Sequence, residues 1–132
     1  MKLERLASLL VLLVPIAAHA GDGRLEINAA CVAAGCFAGD TPGFPVQITS
    51  AGSYLLTSNL TVPDADTTAI TLGAGASLDL GGFTIAGPTS CTGTPAVCTG
   101  TGGGSGISSG TQTSVRNGRI TGMGSSARRA AR

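Results

Sequence analysis

The sequence predicts an all-β chain wound as a three-sided parallel β-helix, about two coils behind an N-terminal cap region, an incomplete solenoid open at its far end. Three observations predict it. Apolar residues fall in pairs two apart within short runs, glycines separate the runs, and the pattern recurs once farther along the chain. Period-two spacing puts both members of a pair on one face of a strand.

Residues 1–20 are expected to be a signal peptide. Lys2 and Arg5 give a positive start partly offset by Glu4, and Leu6 to Ala18 is almost wholly apolar. Ala18-His19-Ala20 then supplies the small-x-small pattern before a cleavage site. The apolar run falls short of the roughly 20 residues a bilayer span needs. The alternative, an uncleaved N-terminal anchor, fits it less well. The mature chain is therefore expected to begin at Gly21, to carry no membrane span, and to be secreted, periplasmic or at the cell surface.

From Gly21 onward there are 112 residues, of which 21 are Leu, Ile, Val or Phe. Six acids (Asp22, Glu26, Asp40, Asp64, Asp66, Asp79) face six arginines, and Gly, Ala, Ser and Thr make up most of the rest. Such a chain buries little apolar area per residue, which suits a thin core with many turns. The stretch holds no His, Lys or Trp, so imidazole and Schiff-base chemistry are excluded. It has no basic patch interleaved with aromatics, so no nucleic acid is expected as a partner.

Cys31, Cys36, Cys91 and Cys98 are the four cysteines, and in an exported chain disulfides are their default state. Three pairings exist, and the spacings favour the two local ones, Cys31–Cys36 and Cys91–Cys98. Each small loop is worth about 2–2.5 kcal/mol in the chain-entropy picture. A four-cysteine zinc site would want tighter pairs.

The segment 21–45 is expected to be an irregular cap with a short helix around Leu25 to Ala34 and a local disulfide. Val46-Gln47-Ile48-Thr49 alternates as a strand, Ser50-Ala51-Gly52 interrupts it, and Tyr54 to Val62 resumes it before a turn at Pro63-Asp64-Ala65-Asp66. Between Thr68 and Pro88 the pairs are Ile70 and Leu72, Leu78 and Leu80, Phe83 and Ile85, divided by Gly73-Ala74-Gly75 and Gly81-Gly82. Three strands this short describe one coil of a three-sided stack. A second copy follows 35 residues on: Val115 and Ile120 repeat Leu80 and Ile85, Asn117 answers Gly82, and Ile107 opens this coil as Ile70 opened the last. The surplus over a coil of twenty-odd residues falls in a Gly/Thr/Ser-rich loop, 88–104, that carries Cys91 and Cys98. Residues 46–124 thus form the coils and 125–132 an unstructured basic tail. A small antiparallel sandwich is the competing architecture, but it calls for longer strands and for more turn dipeptides at hairpin spacing than Asn117-Gly118 supplies.

Gly52 to Val62 resembles the opening segment of right-handed parallel β-helix proteins of the pectate-lyase-like superfamily. Leu78-Asp79-Leu80-Gly81-Gly82-Phe83-Thr84-Ile85-Ala86-Gly87 resembles the first-coil motif of that family, and Val115-Arg116-Asn117-Gly118-Arg119-Ile120-Thr121-Gly122 the next. The likeness covers about Pro45 to Gly124, the disulfide loop excepted, and marks the fold rather than an activity. It implies a secreted protein among polysaccharide lyases, glycoside hydrolases, epimerases and members without known activity. Gly81-Gly82 departs from the corner Asn of the family, which puts a stacked amide ladder in doubt. The resemblance also implies many more coils, with catalytic groups in the middle of the solenoid. The Arg- and Ala-rich end, Ser125 to Arg132, reads as a truncated or frameshifted continuation, or else as a genuine basic tail.

Candidate chemistry is sparse. Asp64 and Asp66 with Asp79 are weak candidates for calcium, which wants six to eight oxygens. Turn chemistry is the simpler account of an Asp-rich corner. Gly103 to Ser108 has the glycines of a calcium-binding nonapeptide, but Ser108 stands where Asp is needed, so a flexible turn is expected. Arg116 and Arg119 should project outward beside Asn117, with Val115 and Ile120 inward. The resemblance implies that such arginines can touch an acidic sugar. Asn117 itself suits a left-handed corner, and Asn59-Leu60-Thr61 fits a glycosylation sequon. No catalytic residue and no cofactor are assigned.

The expected function is that of a non-catalytic exported β-helix associated with a surface or with polysaccharide. The alternative is the N-terminal part of a polysaccharide lyase or glycoside hydrolase. Two coils leave unpaired edges, so self-association through the open end is also expected.

Overall fold

The computed structural model describes residues 23–125. The expected signal peptide, 1–20, and all of the expected basic tail, 125–132, except Ser125 lie outside the described residues. Among the described residues the elements follow in order: β1 (Leu25–Ile27), the short helix α1 (Ala29–Val32), β2 (Val46–Ile48), β3 (Gly52–Leu56), β4 (Leu60–Thr61), β5 (Ile70–Leu72), β6 (Ala76–Asp79), β7 (Thr84–Ala86), β8 (Ser90–Thr92), β9 (Val97–Thr99), β10 (Ile107–Ser109), β11 (Ser114–Arg116) and β12 (Arg119–Thr121).

All pairs are parallel except β8 with β9. The sheets run β1-β3-β6-β11 (sheet A), β2-β5-β10 (sheet B) and β4-β7-β12 (sheet C). The chain therefore visits sheets B, A and C in that order three times. This excludes the antiparallel sandwich, and it corrects the expected count: there are three circuits, not two, with β1 added to sheet A ahead of them.

The extra circuit arises because Tyr54–Val62, expected as one strand, breaks at Thr57-Ser58-Asn59 into β3 and β4. Tyr54 pairs with Leu78, while Leu60 pairs with Ile85 on a different sheet. At that corner the Asn59 carboxamide oxygen accepts from the Thr84 N–H at 2.9 Å, so a polar side chain satisfies a backbone donor between strands. The expected helix over Leu25–Ala34 is likewise divided. Leu25–Ile27 is a strand because its backbone completes the edge of β3. The helix is confined to four residues after Asn28, whose side chain accepts from the Cys31 N–H as an N-cap.

Inward positions stack in columns. Val46, Ile70 and Ile107 form one, and Leu60, Ile85 and Ile120 another. The middle members are fully enclosed, with Ile70 and Ile85 both at 0% exposure. At the third circuit Val115 and Ile120 hold inward positions as expected, yet each is about two-fifths exposed (41% and 42%) because among the described residues no strand follows β11 or β12 in its sheet. Phe83, expected in the core, is half-buried against it.

The other end is covered by the cap. Val32, Cys36, Phe37 and Phe44 pack against the core, and the Phe37 and Tyr54 rings lie 5.4 Å apart. Asp40 fastens this cap. Its carboxylate accepts from the backbone N–H groups of Cys36, Thr41 and Gln47 at 2.9, 2.9 and 2.8 Å. Gln47 lies on β2, an outer strand of sheet B, so Asp40 occupies a donor on a sheet edge.

The register corrects a second expectation. Val115 stands on Leu78, not Leu80, and Ile107 on Ile70, both 37 residues apart, whereas Ile120 stands on Ile85, 35 apart. The difference lies in the corner. Four residues, Leu80-Gly81-Gly82-Phe83, separate β6 from β7, while Asn117-Gly118 alone separate β11 from β12.

The loop 88–104 is more ordered than expected. Its first half is the antiparallel hairpin β8–β9, with Cys91 directly opposite Cys98. Its second half is no flexible turn. Gly102, Gly104 and Gly106 alternate as buried residues. A Cβ at Gly104 would collide with the Thr67 carbonyl, and one at Gly106 with the Ile120 side chain. This is a period-two inward face built of hydrogen atoms, where only glycine lets two backbones approach.

Candidate functional site

Both disulfides are the local ones, Cys31–Cys36 and Cys91–Cys98. Two disulfides mark an oxidising, extracellular-type environment. Among the described residues no helix is long and apolar enough to cross a membrane.

The sequence candidates separate into two places. Asp64 and Asp66 sit in the turn between β4 and β5. One Asp64 oxygen accepts from the N–H groups of Asp66 and Thr67 and from the Thr67 hydroxyl, each at 2.9 Å. The Thr67 hydroxyl and the Asp66 N–H together hold the Asp64 carboxyl below its ordinary pKa. Asp66 accepts from the Gly103 N–H at 2.8 Å, tying the turn to the glycine segment of the next circuit. Both carboxylates thus do turn and loop work. Asp79 lies on sheet A and does not join them, and among the described residues no three His, Cys, Asp or Glu side chains are grouped to hold a metal.

Asp79 is instead the centre of a polar cluster at the corner between sheets A and C. The 37-residue register sets Arg116 beside it, and the Arg116 Nε donates to Asp79 at 3.2 Å. The Asn117 amide nitrogen donates to both carboxylate oxygens, at 3.2 and 3.3 Å. The Gly81 N–H donates at 2.9 Å from within Asp79's own turn, and an Arg24 guanidinium nitrogen stands 3.6 Å away. The Gly81 N–H leads, followed by the Asn117 amide and the Arg116 charge, in holding the Asp79 carboxyl below its ordinary range.

Asn117 holds φ 58°, as expected of a left-handed corner. Its side chain makes no amide ladder, because Gly81-Gly82 offers no amide beneath it, and it bonds to Asp79 instead. Gly118 follows because a Cβ there would run into the Leu80 side chain. Arg119 projects from β12 on the far side of the same turn, exposed, with its N–H donating to the Phe83 carbonyl. Arg24, joined to Asp79, had no sequence signal, since the contact is set only by the pairing of β1 with β3.

The arrangement presents guanidinium groups on an open, strand-built corner. Among the described residues no pocket forms. Comparisons with protein-family models, curated proteins and solved structures return no match.

Proposed function

We propose that this chain is an exported right-handed parallel β-helix that binds an acidic polysaccharide or an acidic cell-surface polymer without transforming it. The three-fold recurrence of sheets B, A and C supports the β-helix reading. Parallel crossover connections are right-handed in nearly all proteins, which favours that hand here. The likeness of Gly52–Val62, Leu78–Gly87 and Val115–Gly122 to pectate-lyase-like proteins points the same way, and the two disulfides suit export.

The observation that carries the binding reading is the corner itself. Arg116 and Arg119 flank Asn117-Gly118 on the outward side, exposed, and Arg24 joins Arg116 at Asp79. Guanidinium groups pair with carboxylates in two-point geometry and carry their charge at every physiological pH. An extended polymer needs a face rather than a pocket, and the strands supply one.

The test is retention of the purified protein on immobilised polygalacturonate or alginate against neutral dextran. The reading expects retention on the acidic polymers alone, weakened by salt and lost in Arg116→Ala with Arg119→Ala. Equal retention on dextran would overturn it. Release of oligosaccharide products would overturn the non-catalytic part and favour a lyase or hydrolase.

A further inference from the structure

We propose that copies of this chain associate head to tail through the two outer strands of sheet A, β11 of one copy lying parallel to β1 of the next. The strand order β1-β3-β6-β11 makes these the two edges of that sheet. The register runs Leu25, Tyr54, Leu78, Val115 along one column and Glu26, Leu55, Asp79, Arg116 along its neighbour.

In the first column the middle members are buried, Tyr54 at 3% and Leu78 at 1% exposure, while the end members Leu25 and Val115 are 46% and 41% exposed. The same apolar column is bare at both ends. In the second column one end is a carboxylate and the other a guanidinium. Extending the register by one strand, from β11 to the next copy's β1, sets Val115 against Leu25 and Arg116 beside Glu26. That gives one apolar and one opposite-charge cross-strand pair on adjacent positions. A head-to-head contact of β11 with β11 would instead offer Arg116 no carboxylate on the facing strand. Sheet B lacks such an edge at the cap end, because Asp40 already takes the Gln47 N–H.

The contact joins unlike surfaces, so it does not close at a dimer and adds copies in a row. An edge of three residues is small, so association is weak and concentration-dependent. The contact rests on strand order and register and not on polysaccharide binding.

Sedimentation velocity of the purified protein over a wide concentration range tests it, with Leu25→Lys and Val115→Lys as variants that each block one edge. The wild-type mass is expected to rise with concentration past the dimer. Each variant alone is expected to stay monomeric at every concentration. An equimolar mixture of the two is expected to form dimers and nothing larger, because each retains the edge the other lacks. Recovery on mixing separates a blocked edge from a misfolded chain, and Glu26→Arg provides a second cap-end variant read in the same way. A monomeric wild type, a Leu25→Lys protein that associates like wild type, or a mixture that stays monomeric would each overturn the proposal.

Discussion

The Asn117 side-chain amide donates to both oxygens of Asp79, one circuit earlier in the chain, at 3.2 and 3.3 Å. This one contact joins two demands of the corner. The backbone at Asn117 needs a residue that accepts φ 58°, and Asp79 needs donors for an outward carboxylate. Asn117→Ala removes both benefits and is expected to destabilise the fold by about 1–2 kcal/mol from the left-handed backbone alone. Asn117→Gly restores the backbone freedom and should recover most of that loss while leaving Asp79 short of a donor. Chemical denaturation of the two variants measures the split. Equal loss in both would mean that the amide contact, not the backbone, dominates.

Acid should weaken the fold through the same carboxylate. Asp79 and Asp64 both ionise below their ordinary value of 3.8 in the folded chain. A depressed folded pKa contributes stability that is fully present above the unfolded value. It is lost as pH falls from there through the lower folded value. Melting temperature is therefore expected to hold steady from neutral pH down to about 5 and then to fall. Asp79→Asn should flatten the acid limb and lower stability at neutral pH. An acid limb unchanged in both Asp79→Asn and Asp64→Asn would show that other groups carry it.

The glycine segment gives a sharper contrast. A Cβ at Gly104 meets the Thr67 carbonyl and its neighbours, whereas at Gly103 the nearest atom, in the Asp66 carboxylate, is 3.7 Å away. Gly104→Ala is expected to cost about 1–3 kcal/mol, as overpacking against backbone does. Gly103→Ala should change stability little or raise it slightly. Urea unfolding of the pair checks this, and equal effects would mean the segment is not held in place.

The two disulfides should differ in what they protect. Cys31–Cys36 holds the cap whose Val32 and Phe37 pack on the core, while Cys91–Cys98 crosses a hairpin whose Val97 is 66% exposed. Replacing both cysteines by serine in the cap is expected to lower the melting temperature clearly, within the roughly 2–5 kcal/mol range for native disulfides. The same change in the hairpin should loosen the hairpin locally and leave the melt nearly unchanged. Calorimetry of the two double variants distinguishes them.

The stretch Thr68–Pro88 is legible because Ile70 and Leu72, Leu78 and Leu80, and Phe83 and Ile85 fall two apart and glycine marks the corners. The register above it is not, because a corner can hold two residues or four without altering the hydrophobic pattern. Leu80-Gly81-Gly82-Phe83 and Asn117-Gly118 look alike in sequence and differ by two positions in space. An offset of 35 residues moves Arg116 away from Asp79, so only the 37-residue register reveals the cluster. The first circuit leaves no such trace because β4 has only two residues, too few to show a period. Gly102, Gly104 and Gly106 alternate inward, but hydrogen side chains leave no hydrophobic trace. The hairpin β8–β9 lacks a turn dipeptide and faces solvent, so only its cysteines announced it.

The central claim is the stacking of three parallel circuits in this register. Through-hydrogen-bond couplings in isotope-labelled protein read it directly. The account predicts couplings from the Gly73 N–H to the Ile48 carbonyl, from the Val62 N–H to the Ala86 carbonyl, and from the Leu80 N–H to the Arg116 carbonyl, one for each sheet. Close Hα–Hα contacts between neighbouring strands of sheets A, B and C, the mark of antiparallel pairing, would contradict it.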